Sequence, residues 1–120
     1  MVKVKSITYE FTVEDVNVKV HLDEELTTKR IEISLEDLKL PMEPEKLKFW
    51  TECFLGLKDF LDNVKKAGTK IICIKTTMSG EQVEFAPEHV EKLAKVMPEI
   101  KKEIDDLPSK IIKIIQKVKP

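Results

Sequence analysis

Four aromatic residues, Phe49, Trp50, Phe54 and Phe60, fall within about three turns of one helical stretch, and Lys46 and Lys48 precede them. Bases of a single-stranded nucleic acid stack on exposed aromatic faces for ~1–3 kcal/mol each, while neighbouring lysines hold the phosphates. The same pattern suits a core helix, because Trp, Phe and Leu at helical spacing are usually buried against a sheet. On the binding reading Trp50 and Phe49 stack bases, Tyr9 is a weaker third platform, and Lys46, Lys48, Lys70, Lys75 and Arg30 contact phosphate. Arginine is scarce, which argues against reading of base edges, so little sequence specificity is expected.

Other chemistry finds no support in the residue spacing. His21 falls on the polar face of a strand pattern and His89 in a first helical turn, and both read as surface residues. Cys53 and Cys73 sit among large apolar residues in separate elements, which suggests buried free thiols; a disulfide stays open, and neither belongs to a zinc-binding spacing. Gly56, Gly68 and Gly80 each stand alone, so no glycine-rich loop cradles phosphate. The acidic pairs Glu24-Glu25 and Asp105-Asp106 read as solvated turn and helix-end residues. No enzyme activity, cofactor, metal or small-molecule substrate is expected.

These residues must be positioned by one domain, since 120 residues suffice for a core without metal or disulfide. A composition of 42% hydrophobic and 36% charged residues has a normal globular balance, and no run is long enough to span a membrane. The opening Met-Val-Lys-Val-Lys alternates as a strand does and not as a secretion signal, so a cytoplasmic protein is expected. The 21 basic and 22 acidic side chains leave a net charge of -1, which excludes coating nucleic acid by bulk electrostatics and leaves only a local patch. Abundant Lys and Glu with little Gly, Asn or Gln suggest a thermophilic source.

Strand periodicity covers the first third. Ile7, Tyr9, Phe11 and Val13 alternate with Thr8, Glu10 and Thr12; Val16, Val18, Val20 and Leu22 alternate with Asn17, Lys19 and His21; Glu14-Asp15 connects the two runs. Val2 and Val4 are out of phase, which calls for a bulge near Lys5 and Ser6. After a polar turn over 23–28, a third strand turns Ile31, Ile33 and Leu35 inward, and its opposite face, Arg30, Glu32 and Ser34, is solvated. Pro41 and Pro44 punctuate the chain, and Pro44 opens a helix that Gly68 closes. One stripe of that helix runs Leu47, Trp50, Phe54, Leu57, Leu61 and Val64; all but Trp50, which is left between core and ligand, are assigned to the sheet. A second stripe, Phe49, Cys53, Gly56, Phe60 and Ala67, is left for another helix layer, a second subunit or a ligand; together they cover roughly 180° of arc against the ~100° of an ordinary surface helix. A central strand is expected over 70–76, a return strand over 81–85 after Ser79-Gly80, and a helix from Pro87 that Pro98 kinks or divides. The last segment, 109–119, sets Ile111, Ile112, Ile114, Ile115 and Val118 against Lys110, Lys113 and Lys117; it reads as a docked helix, an oligomer contact or a basic handle for phosphates.

The segment Glu81-Gln-Val-Glu-Phe-Ala-Pro-Glu-His-Val-Glu-Lys-Leu-Ala-Lys-Val-Met-Pro-Glu-Ile100 resembles the final strand and helix of single-stranded-DNA-binding transcriptional coactivators, over about a sixth of the chain. The long helix among the strands departs from the element order of that family. The whole order, three strands, long helix, hairpin and C-terminal helices, with a thermophile-like composition, is more similar to the archaeal ThermoDBP-related single-stranded-DNA-binding proteins. That resemblance implies an antiparallel sheet with helices, assembly into oligomers, and binding of single strands through apolar and basic residues without strong sequence preference. No site residue is carried over from it.

The expected architecture is therefore α+β: a five-stranded antiparallel sheet in the order β-β-β-α-β-β-α-α, one long helix packed on it, and C-terminal helices. The expected function is non-catalytic binding of single-stranded nucleic acid, DNA foremost, by a homo-oligomer, a dimer or tetramer, with no membrane contact. The rival is an adaptor whose apolar helical stripes bind protein or a second copy.

Overall fold

The computed structural model describes residues 5–118. The alternating runs form β1 (Ser6–Val13), β2 (Val16–Asp23) and β3 (Thr28–Leu35), an antiparallel meander whose Glu14-Asp15 connection closes directly on the Val13–Val16 pair. Val16, Val18, Val20, Ile31 and Ile33 are completely buried, so period-two patterning set the inward face. Between β2 and β3 the Asp23 carboxylate accepts the N–H groups of Glu25 and Thr27 at 2.9 and 3.0 Å, and Leu26 takes φ 63°. On the outer face His21 Nε2 lies 3.2 Å from Glu32, Arg30 lies 3.4 Å from the same carboxylate, and Asn17 donates to Glu10 at 3.0 Å. Val2 and Val4, for which a bulge near Lys5 and Ser6 was expected, lie outside the described residues. A register shift occurs instead between His21 and Leu22.

The five-stranded sheet gives way to two sheets. A fourth strand, β4 (Leu38–Met42), pairs with β3 and contains Pro41, which faces Glu32 across the ladder. Proline interrupts a central strand because it has no N–H to donate, but an edge strand has one unpaired side that can accommodate it. The expected central strand over 70–76 is replaced by β5 (Ile74–Met78), which pairs only with β6 (Glu81–Phe85) around Ser79 and Gly80, both at positive φ. Ile72, expected to be covered, is 79% exposed. Its apolar neighbours marked a loop and not a buried strand.

A 3-10 turn (Pro44–Lys46) leads into α1 (Leu47–Lys66). Gly68, at φ 81°, ends it: Thr69 N–H reaches Val64 O at 3.1 Å and Gly68 N–H reaches Lys65 O at 3.0 Å, the paired bonds of a Schellman stop. Inside α1 the one buried polar side chain, Thr51, donates to Leu47 O at 2.7 Å and is satisfied. The assignment of the first stripe to the sheet is corrected in part. Helix α1 packs chiefly along α2, and Phe54 meets Phe85 of β6 edge-on with ring centroids 5.4 Å apart. The second stripe is only partly covered among the described residues: Cys53 is half-buried against the core, while Phe49 and Phe60 are exposed.

Pro98 does not divide the helix. Helix α2 (Pro87–Val118) runs through both Pro98 and Pro108 for 32 residues, ~48 Å. Each proline removes one backbone bond, but Leu93, Met97, Ile100, Ile104 and Leu107 are buried on both sides of Pro98 and hold the axis. Lys92–Asp15 and Lys95–Glu14 pairs, the latter at 3.0 Å, fasten α2 over the β1–β2 turn. Beyond Ile111 the helix is not docked: Ile114 is 61% and Val118 78% exposed. Phe54 is the fully buried side chain that joins α1 to the rest of the core. Phe54→Ala is expected to lower unfolding free energy by about 3–5 kcal/mol, read from urea unfolding with an unchanged slope.

Candidate nucleic-acid interface

Burial of Leu47 and Trp50 fixes the rotation of the first turns of α1, and the intervening Lys48 and Phe49 are thereby turned outward. Phe49 is 55% exposed. The Lys46 ammonium lies 5.8 Å from the Phe49 ring centroid, a cation–π contact one helical turn along the same face. Trp50, expected to stack bases, is 9% exposed and belongs to the core: it meets Phe49 edge-on at 5.1 Å and Phe54 at 6.0 Å. The structure thus gathers Lys46, Lys48 and Phe49 at one end of α1 and places Trp50 behind them.

The remaining candidates are dispersed. Lys70 follows the far end of α1, ~30 Å of helix from Lys46. Arg30 is exposed on the outer face of the four-stranded sheet beside Glu32, and Lys75 is exposed on β5 in the other sheet. Tyr9 is half-buried beneath α2, where its hydroxyl donates to Glu103 at 3.2 Å, and Lys110 donates to both oxygens of that carboxylate at 2.7 Å. Burial, followed by the neighbouring Glu103 carboxylate, raises the Tyr9 hydroxyl above its ordinary value. Lys110, aided by Tyr9, holds the Glu103 carboxyl below its own. Tyr9 is therefore committed to a structural bond that a base would have to displace.

Sequence reasoning passed over two clefts. One, about 520 Å³, opens between the hairpin turns and the start of α2; Glu14, Glu36, Glu88 and Glu91 outnumber Lys92 and Lys95 there, a balance that repels phosphate. His89 at its edge accepts the Ala86 N–H through Nδ1 at 3.1 Å, which places the neutral ring's proton on Nε2, 3.7 Å from Glu36. It caps a helix, as the spacing of Pro87 and His89 could have suggested. The other cleft, about 610 Å³, separates the end of α1 from the start of α2 and has Leu61, Val64 and Ile71 beside Lys65 and Lys70. Among the described residues no group of three His, Cys, Asp or Glu side chains could hold a metal ion. Both cysteines are free thiols, half-buried and not fully covered as expected; burial raises the Cys53 thiol, and a bond to Glu84 raises Cys73. No described helix is long and apolar enough to cross a membrane.

Compared with known proteins, the chain matches no family model, no curated protein and no solved structure.

The Tyr9–Glu103–Lys110 bonds make stability depend on acid. Because the folded carboxyl of Glu103 lies below its ordinary value of 4.5, its contribution is fully present above that pH and is lost as pH falls through the depressed folded value. Glu103→Gln is expected to be less stable than the parent at pH 7 and to approach it in acid; thermal unfolding across that range checks both limbs.

Proposed function

We propose that the protein binds single-stranded nucleic acid, DNA foremost, without catalysis, at the N-terminal end of α1. The observation that carries this reading is the half-open Phe49 ring with the Lys46 ammonium on its face and Lys48 beside it. A base laid against Phe49 gains stacking area, and its flanking phosphates lie within reach of two flexible ammonium groups. The net charge of -1 supports a local contact that grips short segments, and a small aromatic platform without arginine forks supports weak sequence preference. Trp50, although buried, lies close enough to Phe49 to report on it.

A second reading, an adaptor that binds protein through the open face of α1, is favoured by Leu55 and Phe60, 42% and 53% exposed on the same helix. The two separate cleanly by titration. Unstructured oligodeoxynucleotide is expected to change Trp50 fluorescence, with affinity falling steeply as salt rises. Phe49→Ala should weaken binding about 5- to 150-fold, the equivalent of ~1–3 kcal/mol, and Lys46→Gln or Lys48→Gln should each reduce the slope of log affinity against log salt by ~0.7. Absence of binding at low salt sinks the nucleic-acid reading, and binding indifferent to Phe49→Ala removes it from this end of α1.

A further inference from the structure

The two edges of the four-stranded sheet differ. Edge strand β4 contains Pro41 and is shielded by the β5–β6 hairpin, whose Ser79 hydroxyl donates to Pro41 O at 3.3 Å. Among the described residues, edge strand β1 has no such protection. Ser6–Val13 holds no proline and no lysine, and Glu10 is its single charge, so the devices that ordinarily keep edges apart are missing. No described strand pairs on that side. The two-residue connection makes Val13–Val16 a hydrogen-bonded pair, and such pairs alternate along the ladder. Odd-numbered residues of β1 therefore bond to β2, while Ser6, Thr8, Glu10 and Thr12 turn their backbone N–H and C=O groups to the free edge. On the inward face Ile7, Tyr9 and Phe11 are only half-buried, whereas their β2 neighbours Leu22, Val20 and Val18 are at most 2% exposed.

We propose that two copies of the chain join by antiparallel pairing of β1 with β1, which makes one continuous eight-stranded sheet. Side-chain alternation and the outward-facing even residues together restrict the register. Centring the two-fold axis on Tyr9 sets Thr8 opposite Glu10 of the second copy and Ile7 opposite Phe11 of the second copy. Centring it on Glu10 would oppose two carboxylates and is disfavoured. The same axis brings the two α2 helices side by side, antiparallel, on one face of the joined sheet. Each α2 passes over Tyr9 at Glu103 and continues for ~22 Å to Val118. This is where Ile112, Ile114, Ile115 and Val118 lie open, beside Lys110, Lys113 and Lys117 with no acid after Asp106. An antiparallel neighbour offers that basic tail the exposed Glu91 and Glu99 of its own first half, so charge is complementary. One two-fold operation satisfies the bare strand edge, the half-buried edge side chains and the open helical tail.

The test is sedimentation of the full chain together with amide hydrogen exchange. The parent chain is expected to sediment as a dimer at ~100 µM, with the amides of Thr8, Glu10 and Thr12 protected as strongly as those bonded to β2. Thr8→Pro removes a donor that only the second copy uses, so it should yield a folded monomer; Ile115→Lys should weaken the dimer at least tenfold. If Thr8→Pro does not fold, exchange in the parent chain decides. A parent monomer at this concentration overturns the proposal. So does a dimer whose outward amides exchange freely, or one that a folded Thr8→Pro leaves intact while Ile115→Lys dissociates it, which would mark a contact through the helical tails alone.

Discussion

The unbroken apolar seam of α2 is the constraint on which the rest of the molecule depends. Val90, Leu93, Met97, Ile100, Ile104, Leu107 and Ile111 recur at alternating intervals of three and four residues, and all are buried. A four-stranded meander has one apolar face and cannot stand alone in water. The seam closes that face and does so along one continuous helix. Each buried aliphatic side chain contributes about 1.5–3 kcal/mol, so seven together outweigh the loss of a backbone bond at Pro98 and again at Pro108. Ion pairs from Lys92 and Lys95 to the β1–β2 turn, and the Tyr9–Glu103–Lys110 bonds further along, fix the direction in which the axis crosses the strands.

With α2 in that place, α1 is left as a second layer. It lies along α2 and touches the strands through Phe54 and Phe85, so only part of its apolar arc is used. Leu47, Trp50 and Phe54 take the inward side, and Phe49, Leu55 and Phe60 are turned to water. Phe49 and Phe60 share one face of the helix, and Leu55 lies apart from them around the axis. Lys46 covers part of the shared face at one end, and the C-terminal stop at Gly68 ends the helix before it runs past α2.

The strand meander was legible because period-two alternation with β-branched residues admits few other readings, and the two-residue connection at Glu14-Asp15 sets its register. The strand through Pro41 was not. A proline in a strand-like run reads as a stop unless its position at a sheet edge is known, and an edge is defined by which segments pair, a non-local fact. The run around Ile72 failed for the opposite reason: a short apolar stretch looks the same whether it is a covered strand or a loop with one open isoleucine. The candidate site was half-legible. Phe49 and Trp50 are adjacent and 100° apart on the helix, so the local pattern allows either to face outward, and only the docking of α1 on α2 decides that Trp50 goes in.

That decision also bears on how charge is used. Positive and negative side chains nearly cancel over the chain, and on the outer face of the sheet Arg30 and His21 both converge on Glu32 while Asn17 donates a hydrogen bond to Glu10. The acid-rich cleft at the start of α2 adds a region that excludes anions. Lysines without an ion pair among the described residues include Lys46 and Lys48 at the head of α1 and Lys113 and Lys117 at the tail of α2, which stand next to open apolar side chains. Positive charge and apolar surface coincide at those two places, as they do at Lys65 and Lys70 in the cleft between α1 and α2. Such surfaces suit ligands or partners that present negative charge beside an apolar or aromatic group, and their separation on different helices allows one to serve binding while the other serves assembly.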